Sequence, residues 1–523
     1  MINAKLLWVD DEIEMLRAHL LFLKNKNYDV VTVSNGTDAI DQCQQQVFDL
    51  ILLDEMMPGL SGLETLQRIK EIQPQTPVVM VTKSEEENIM DQAIGQQIAD
   101  YLIKPVNPSQ ILLTLKKHIH RREIVSEVTQ SKYQQSFMQL SMQIDDCRTL
   151  DDWKEVYQKL VTWELTLAET ESQMLEMLAM QKAEANKAFA RFIKRNYLDW
   201  VSPKTFMNHK GRPMLSPDIF RERVFPAIDN ADGAPVFFVV IDNLRCDQWR
   251  VISAEIADAY NIEEETYLSI LPTATQYARN AIFSGLMPNK IAEMFPELWV
   301  DEDSEEGKNL NEEPLIKTQI ERYRRHDTFS YHKVNDSQGA EKFIDRLPSL
   351  RKNSLNVLVV NFIDMLSHAR TESKMVRELA SNESAFRSLS LSWFRHSVLA
   401  DLFRYLSQIP CKIIITTDHG SIRSSTPVKV IGDRNTNTNL RYKVGKNLNC
   451  QAKDIFTIKE PSEAQLPSPN LSSSYIFATS DAFFAYPNNY NYYVSYYKDT
   501  FQHGGVSLEE MLIPLVSLTP KMR

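Results

Sequence analysis

Five short apolar runs in this chain each lead into a carboxylate, and that repeated pairing constrains the fold more than any other feature. Leu6-Leu7-Trp8-Val9 leads into Asp10, Leu50-Ile51-Leu52-Leu53 into Asp54, and Val236-Phe237-Phe238-Val239-Val240-Ile241 into Asp242. Val357 to Phe362 leads into Asp364, and Cys411 to Ile415 into Asp418. Continuous apolar runs of this length read as parallel strands buried on both faces. An acid at the carboxyl end of such a strand lies where open α/β sheets build their sites. The pattern occurs near both ends of the chain and is missing from the middle.

That middle is helical. From Ser109 to Ser202 there is neither proline nor glycine. Ile111, Leu112, Leu115, Ile119 and then Trp153, Val156, Tyr157, Leu160 recur three or four residues apart, as on one face of a helix. Asn107-Pro108 starts one helix, the extended last helix of the N-terminal domain, and Thr149-Leu150-Asp151-Asp152 fits a capping box for another. The expectation is an α/β chain of three parts: an α/β domain over 1–122, a helical bundle over 123–202 and a second α/β domain over 203–523. The 523 residues suit roughly three domains. No apolar run approaches the roughly 18–20 residues of a membrane span. The start of the chain lacks a signal peptide, and five scattered cysteines without a CxxC pair predict a reducing cytoplasm. A net charge of −11 argues against a polyanion binder as a whole.

In the first domain, Asp10-Asp11-Glu12 and Asp54 close adjacent strands, and carboxylates so placed make a pocket for Mg²⁺. A carboxylate beside Mg²⁺ can attack a phosphoryl donor, and Thr82 and Lys104, also at strand ends, would hold the phosphoryl oxygens. In the last domain, Asp242, Asp364, His368, Asp418, His419 and His503 supply three acids and three imidazoles. Six N/O ligands suit two divalent ions, three per ion with positions left open. The charged segment from about 288 to 350 reads as an insertion, with Asp301 to Glu306 a solvated loop. Residues 423–446 carry six basic groups against one acid, and Arg434, Arg441 and Lys443 are the candidate substrate contacts there. The tyrosines from Tyr486 to Tyr497 suit a strand packed on the core, or a stacking platform for bases, with packing favoured.

These motifs resemble known families. The first domain resembles the receiver domain of response regulators, which implies that Asp54 in Leu53-Asp54-Glu55-Met56-Met57-Pro58-Gly59 is the phospho-acceptor. Asp10 and Asp11 are then the metal acids, Thr82 and Tyr101 the switch residues, and Lys104 the lysine. Pro272-Thr273-Ala274-Thr275, followed by Ser284-Gly285 and Pro288, resembles the nucleophile turn of the alkaline phosphatase superfamily. Asp364-x-x-x-His368, Asp418-His419 and His503-Gly504-Gly505 match the same superfamily. Gly432-Asp433-Arg434, Asn437 to Lys443 and His503 to Glu510 are closer still to PglZ-type domains. The three-part layout is similar to that of PorX-like response regulators of Bacteroidetes, associated with type IX secretion.

The resemblance implies a (βα)5 receiver, a helical bundle and an alkaline-phosphatase-like α/β domain. It implies one ion on Asp364, His368 and His503, and a second on Asp242, Asp418 and His419 with Thr275. Zinc suits these ligands, and manganese serves relatives with the same types. Thr275 would be the nucleophile, with Asn280 preferred over Arg279 for phosphoryl oxygens. The expected activity is phosphodiester hydrolysis on a nucleotide or oligonucleotide under receiver control, with monoester hydrolysis as the variant. The expected partners are a cognate sensor histidine kinase, a second copy of the chain on phosphorylation, and a sigma factor or secretion component. The rival is a signalling adaptor whose metal domain only binds a partner. A DNA-binding regulator is weakest, since no compact helix-turn-helix with a basic recognition helix appears.

Overall fold

The structure is a computed structural model. It describes residues 4–521 apart from 75, 84–97, 120, 170–173, 209–210, 301–308, 336, 373–375, 378–379, 381, 434–435, 451–454, 469 and 471. The chain forms two compact units, Met1–Lys132 with Thr170–Ser172, and Tyr133–Glu169 with Gln173–Arg523.

The first unit is a five-stranded parallel sheet of β1 (Lys5–Val9), β2 (Asp29–Val33), β3 (Leu50–Asp54), β4 (Val78–Thr82) and β5 (Asp100–Ile103) in the order β2-β1-β3-β4-β5. β1, β3 and β4 are buried almost throughout, which is why their sequences are unbroken apolar runs. Leu7 sits opposite both Val31 and Ile51, so β1 and β3 end side by side and deliver Asp10 and Asp54 to one edge. The helix Gly62–Ile72 starts on a capping box between Ser61 and Glu64. Asn107 caps the helix Pro108–His118 by accepting from Ser109 N at 2.8 Å. That helix stops at His118, and Arg121–Asp146 begins a new one. The single extended helix expected here is therefore two, with a turn at Ile119.

The second unit joins the middle helices to the C-terminal α/β domain. Leu150–Glu169 begins with the expected reciprocal cap: Asp152 N donates to Thr149 Oγ1 at 3.2 Å and Thr149 N to Asp152 Oδ2 at 2.8 Å. Trp153, Tyr157, Leu160, Leu178, Phe189 and Ile193 share one buried core with Val236, Phe238, Ile282 and Leu515. The helical stripe therefore packs on the α/β domain as well as on its own helices. The large sheet contains β6 (Val236–Ile241), β7 (Tyr260–Leu268), β8 (Phe329–Val334), β9 (Leu355–Val360), β10 (Lys412–Thr416) and the strand Leu512–Pro520. The order is β7, Leu512–Pro520, β10, β6, β9, β8, with only Leu512–Pro520 antiparallel to its neighbours.

Two readings change. The segment read as an insertion contributes the helix Glu312–Arg322 and the edge strand β8, while its acidic loop lies outside the described residues. Tyr486 packs against a core cluster as expected, but the later tyrosines form a helix, Tyr490–Tyr497, in which Tyr492 stacks on Tyr496 and Tyr493 on Tyr497. Aromatic spacing of four residues had the period of a helix all along. Tyr492 is 64% exposed, so packing on the core does not explain it.

Candidate functional site

At the carboxyl edge of the first sheet, Asp10 and Asp54 are buried and Asp11 is exposed, and one oxygen of each lies within 4.8 Å of the others. Lys104 Nζ is 2.8 Å from Asp10 Oδ2 and 2.8 Å from Asp54 Oδ2. Burial raises the Asp54 carboxyl above its ordinary range, and Lys104 partly offsets this. The two carboxylates in turn hold Lys104 above its usual value against the effect of burial. Thr82 Oγ1 donates to Glu55, and Tyr101 lies 41% exposed on β5.

The larger sheet gathers the other candidates at the carboxyl ends of β6, β9 and β10. Asp242 follows β6 directly, and the next residue, Asn243, turns the chain with φ 63°. Its amide donates to Asp364 Oδ1 at 3.3 Å and to Ser367 Oγ at 3.2 Å. Asp364 and His368 stand one turn apart on the helix Phe362–Glu372, 3.4 Å between Oδ2 and Nε2. His503 Nε2 is 3.7 Å from Asp364 Oδ1. His419 Nε2 lies 3.7 Å from Asp242 Oδ1 and 3.8 Å from Asp418 Oδ2. The rings of His419 and His503 stack at 4.1 Å, so the two clusters adjoin. Thr275, the first residue of the helix Thr275–Ser284, puts Oγ1 3.0 Å from His419 Nε2.

Both buried imidazoles have their tautomer set by the backbone. His503 Nδ1 faces Thr273 O at 3.0 Å and His419 Nδ1 faces Gly420 O at 3.2 Å. A carbonyl only accepts, so each Nδ1 donates, and each Nε2 is the nitrogen turned toward the carboxylates. Burial, then the neighbouring His419, pushes the His503 imidazole down to about 3, so it stays neutral. Asp242 Oδ1 is buried without a hydrogen-bond partner. Imidazole nitrogens, carboxylate oxygens and an orphaned buried acceptor form a donor set that fits divalent transition metals.

Arg279 lies beneath this set, fully buried among Asp242, Asp418 and Glu312. Burial raises Asp242 well above the carboxylate range, and Asp418 and Asp364 add to this against Arg279. Asp418 keeps its charge because Arg279 and His419 outweigh its burial. Arg279 therefore faces acids, which leaves Asn280, buried with Oδ1 unpartnered.

The basic stretch needs correction. Arg441 is fully buried, its guanidinium paired with Glu510 at 2.5 Å. Lys443 is buried too; its Nζ donates to Asn437 O at 2.9 Å and lies over the Tyr486 ring. Both are taken up inside the fold: Arg441 immediately precedes the strand Tyr442–Gly445 and Lys443 lies within it, and that strand is buried on both faces, with Tyr442 and Val444 in the apolar core. Arg434 lies outside the described residues. Three residues at the site have no role in the sequence reading: Asn243, Glu312 and Thr273. Asn243 follows a strand-end acid, a recognisable turn signal. Glu312 reaches Arg279 from 33 residues away, and nothing local marks it.

The first unit is a parallel sheet with paired acids and a lysine at its edge, and the second is an α/β fold that gathers two adjoining groups of N/O donors. Residues 6–116 match the response regulator receiver domain, 123–201 the PorX response regulator linker domain, and 219–518 the BREX system PglZ alkaline phosphatase-like domain. The chain belongs to the PglZ alkaline phosphatase-like family, in the PorX-like response-regulator arrangement. Receiver domains are phosphorylated by sensor kinases, and both domain types generally bind metals. Among curated proteins, the alkaline phosphatase synthesis transcriptional regulatory protein PhoP of Bacillus subtilis (strain 168) is 32% identical over 171 residues, 32% of this chain and 70% of that protein. The transcriptional regulatory protein ResD of the same strain is 34% identical over 157 residues, 29% of this chain and 65% of that one. The chemotaxis response regulator CheY4 of Vibrio cholerae is a similar solved structure: 30% identity, 22% of this chain, 98% of that chain and a TM-score of 0.21. No described helix is long and apolar enough to cross a membrane.

Proposed function

We propose that the C-terminal domain is a two-metal phosphodiesterase controlled by phosphorylation of Asp54. The observation that carries this reading is the Thr275 hydroxyl, 3.0 Å from His419 Nε2, beside two adjoining groups of three N/O donors. Asp364, His368 and His503 would hold one zinc or manganese ion, and Asp242, Asp418, His419 and Thr275 the other; Asp10, Asp11 and Asp54 would hold Mg²⁺. Bound there, divalent cations supply Lewis acidity that lowers the pKa of a nearby hydroxyl and offsets charge on a leaving oxygen.

The rest is done by the chain. Thr275 Oγ1 attacks phosphorus in line and forms a threonyl phosphodiester that keeps the second alcohol, while the P–O bond to the leaving alcohol breaks and the proton given up by the hydroxyl is balanced by the one that alcohol takes up. Water then hydrolyses the ester and restores the hydroxyl. The helix Thr275–Ser284 would direct its free N–H groups and positive dipole end at the phosphoryl oxygens, and Asn280 would donate to them from its side-chain amide. Arg279 keeps Asp418 ionised from below and leaves the substrate face open. The substrate is a nucleotide or oligonucleotide diester, in a pathway serving type IX secretion.

For control, charge added at Asp54 draws Thr82 toward the phosphoryl group and Tyr101 inward, and the altered face pairs two chains. The test uses zinc- or manganese-loaded full chain with bis(p-nitrophenyl) phosphate and p-nitrophenyl phosphate, with and without beryllofluoride, and sedimentation on the same samples. Diester turnover lost in Thr275→Ala supports the reading. A loaded wild type inactive on both esters assigns the metal domain to partner binding. A size and rate unmoved by beryllofluoride refute the control.

A further inference from the structure

The middle helix Met174–Val201 touches both segments that carry the proposed chemistry. Tyr197, fully buried, accepts a hydrogen bond at its hydroxyl from Leu271 N at 2.7 Å. Leu271 opens the turn Leu271-Pro272-Thr273-Ala274 that ends at Thr275. Three turns earlier on the same helix, Asn186, 4% exposed, accepts from Leu508 N at 2.8 Å and donates to Glu509 Oε2 at 3.0 Å. Leu508 closes the loop that begins at His503. Eleven residues are close to a whole number of turns, so Asn186 and Tyr197 share one face, about 16 Å apart.

The two loops are also tied to each other through Thr273. Its hydroxyl donates to Gly505 O at 2.9 Å and accepts from Gly504 N at 3.0 Å, and its carbonyl takes the His503 Nδ1 proton at 3.0 Å. Gly504 has φ +121°, and a Cβ on Gly505 would lie 2.4 Å from Ala478 O, so this loop is fixed closely from both sides. The result is a closed frame: Tyr197, Leu271, Thr273, the His503 loop, Leu508, Asn186, and back along the helix. The Asn186 end is anchored by buried charges, with Lys182 2.5 Å from Glu164 and 3.4 Å from Glu509, and Arg387 3.1 Å from Asp247. Single backbone N–H groups from the two loops that carry Thr275 and His503 are thus received by side chains of one helix.

We propose that the helix Met174–Val201 is a positioning element of the active site, with Tyr197 and Asn186 setting the placement of Thr275 against His503. Neither residue touches substrate; each acts through a loop. This deepens the phosphodiesterase reading, and rests on it only for the activity measurement. It also gives the middle helices a specific means of acting on hydrolysis, because a displacement of this helix is carried to both loops at once.

The experiment compares Tyr197→Phe and Asn186→Leu with Tyr260→Phe in the zinc-loaded full chain. Tyr260 is an equally buried tyrosine of the same unit whose hydroxyl donates to Phe403 O, remote from both loops. Two readouts are taken: kcat and KM on bis(p-nitrophenyl) phosphate, and amide hydrogen exchange over 270–275 and 503–508. Tyr197→Phe and Asn186→Leu are expected to lower kcat about tenfold or more with KM unchanged, since small misplacements of reacting groups are costly. Exchange in the two loops should rise in these variants and stay at the wild-type rate in Tyr260→Phe. Equal effects from all three tyrosine and asparagine variants, or unchanged exchange in both loops, would overturn the proposal. If the wild type hydrolyses no diester, the exchange readout still decides the positioning role, and the activity reading alone fails.

Discussion

The chain carries two acidic sites at the carboxyl ends of parallel strands, one in a parallel sheet and one in a mixed sheet, and they differ in how their charge is balanced. In the receiver, one lysine with a 14% exposed side chain bridges two carboxylates, and every candidate ligand is an oxygen. In the C-terminal domain, Arg279 is sealed under the acids and three imidazoles join the donor set. A site of hard oxygens beside solvent suits an ion and a phosphoryl group that come and go. A donor set that mixes imidazole nitrogens with carboxylates, with Asp242, Asp418 and His419 fully enclosed and His419 and His503 braced by backbone carbonyls, suits an ion that stays.

The largest effect separates the two nucleophiles. Thr275→Ala should lower diester turnover about a thousandfold or more with metal content retained, since it deletes the attacking atom. Asp54→Ala, assayed without a phosphodonor, should stay within about twofold of wild type. Equal losses would mean that the receiver takes part in hydrolysis itself.

Metal retention comes next. After gel filtration in metal-free buffer, elemental analysis should find about two transition-metal ions per chain and no bound Mg²⁺. Asp418→Ala and His503→Ala should each lower the transition-metal count, and the double variant should hold almost none. Full content in the double variant would remove both from the ligand set.

The counter-charges give a third test, in stability. Arg279→Met leaves buried carboxylates unpaired and should cost about 3–5 kcal/mol in chemical denaturation of chelator-treated protein. Lys104→Met, at a partly solvated pair, should cost about 1–2 kcal/mol. Similar costs would erase the distinction drawn between the two sites.

A further test concerns Lys443, whose pKa burial pushes down to about 7. Its folded value lies below its unfolded one, so the fold bears the full cost of the charge below pH 7. The cost fades as pH rises toward the unfolded value near 10.5. Lys443→Met should therefore raise the melting temperature most at about pH 6 and not at all near pH 11. A pH-independent shift would mean that Lys443 is not titrating in the fold.

The sequence by itself determined the fold class and the residues gathered at the two edges. Apolar runs buried on both faces must be sheet interiors, and an acid following such a run must emerge at the carboxyl edge. Asp10, Asp54, Asp242, Asp364 and Asp418 were legible for that reason. So was the helix cap at Thr149, which depends only on residues three apart. Tertiary structure alone decided what those charges meet. Arg441 and Lys443 read as a phosphate-binding surface because charge normally seeks water, yet Glu510 and the Tyr486 ring receive them inside the fold. Glu312 reaches Arg279, and Tyr197 and Asn186 reach Leu271 and Leu508, across separations of 33 to 322 residues. Local patterns record which face of an element is buried. They do not record which distant group lies against it, because that pairing is set by how the layers pack.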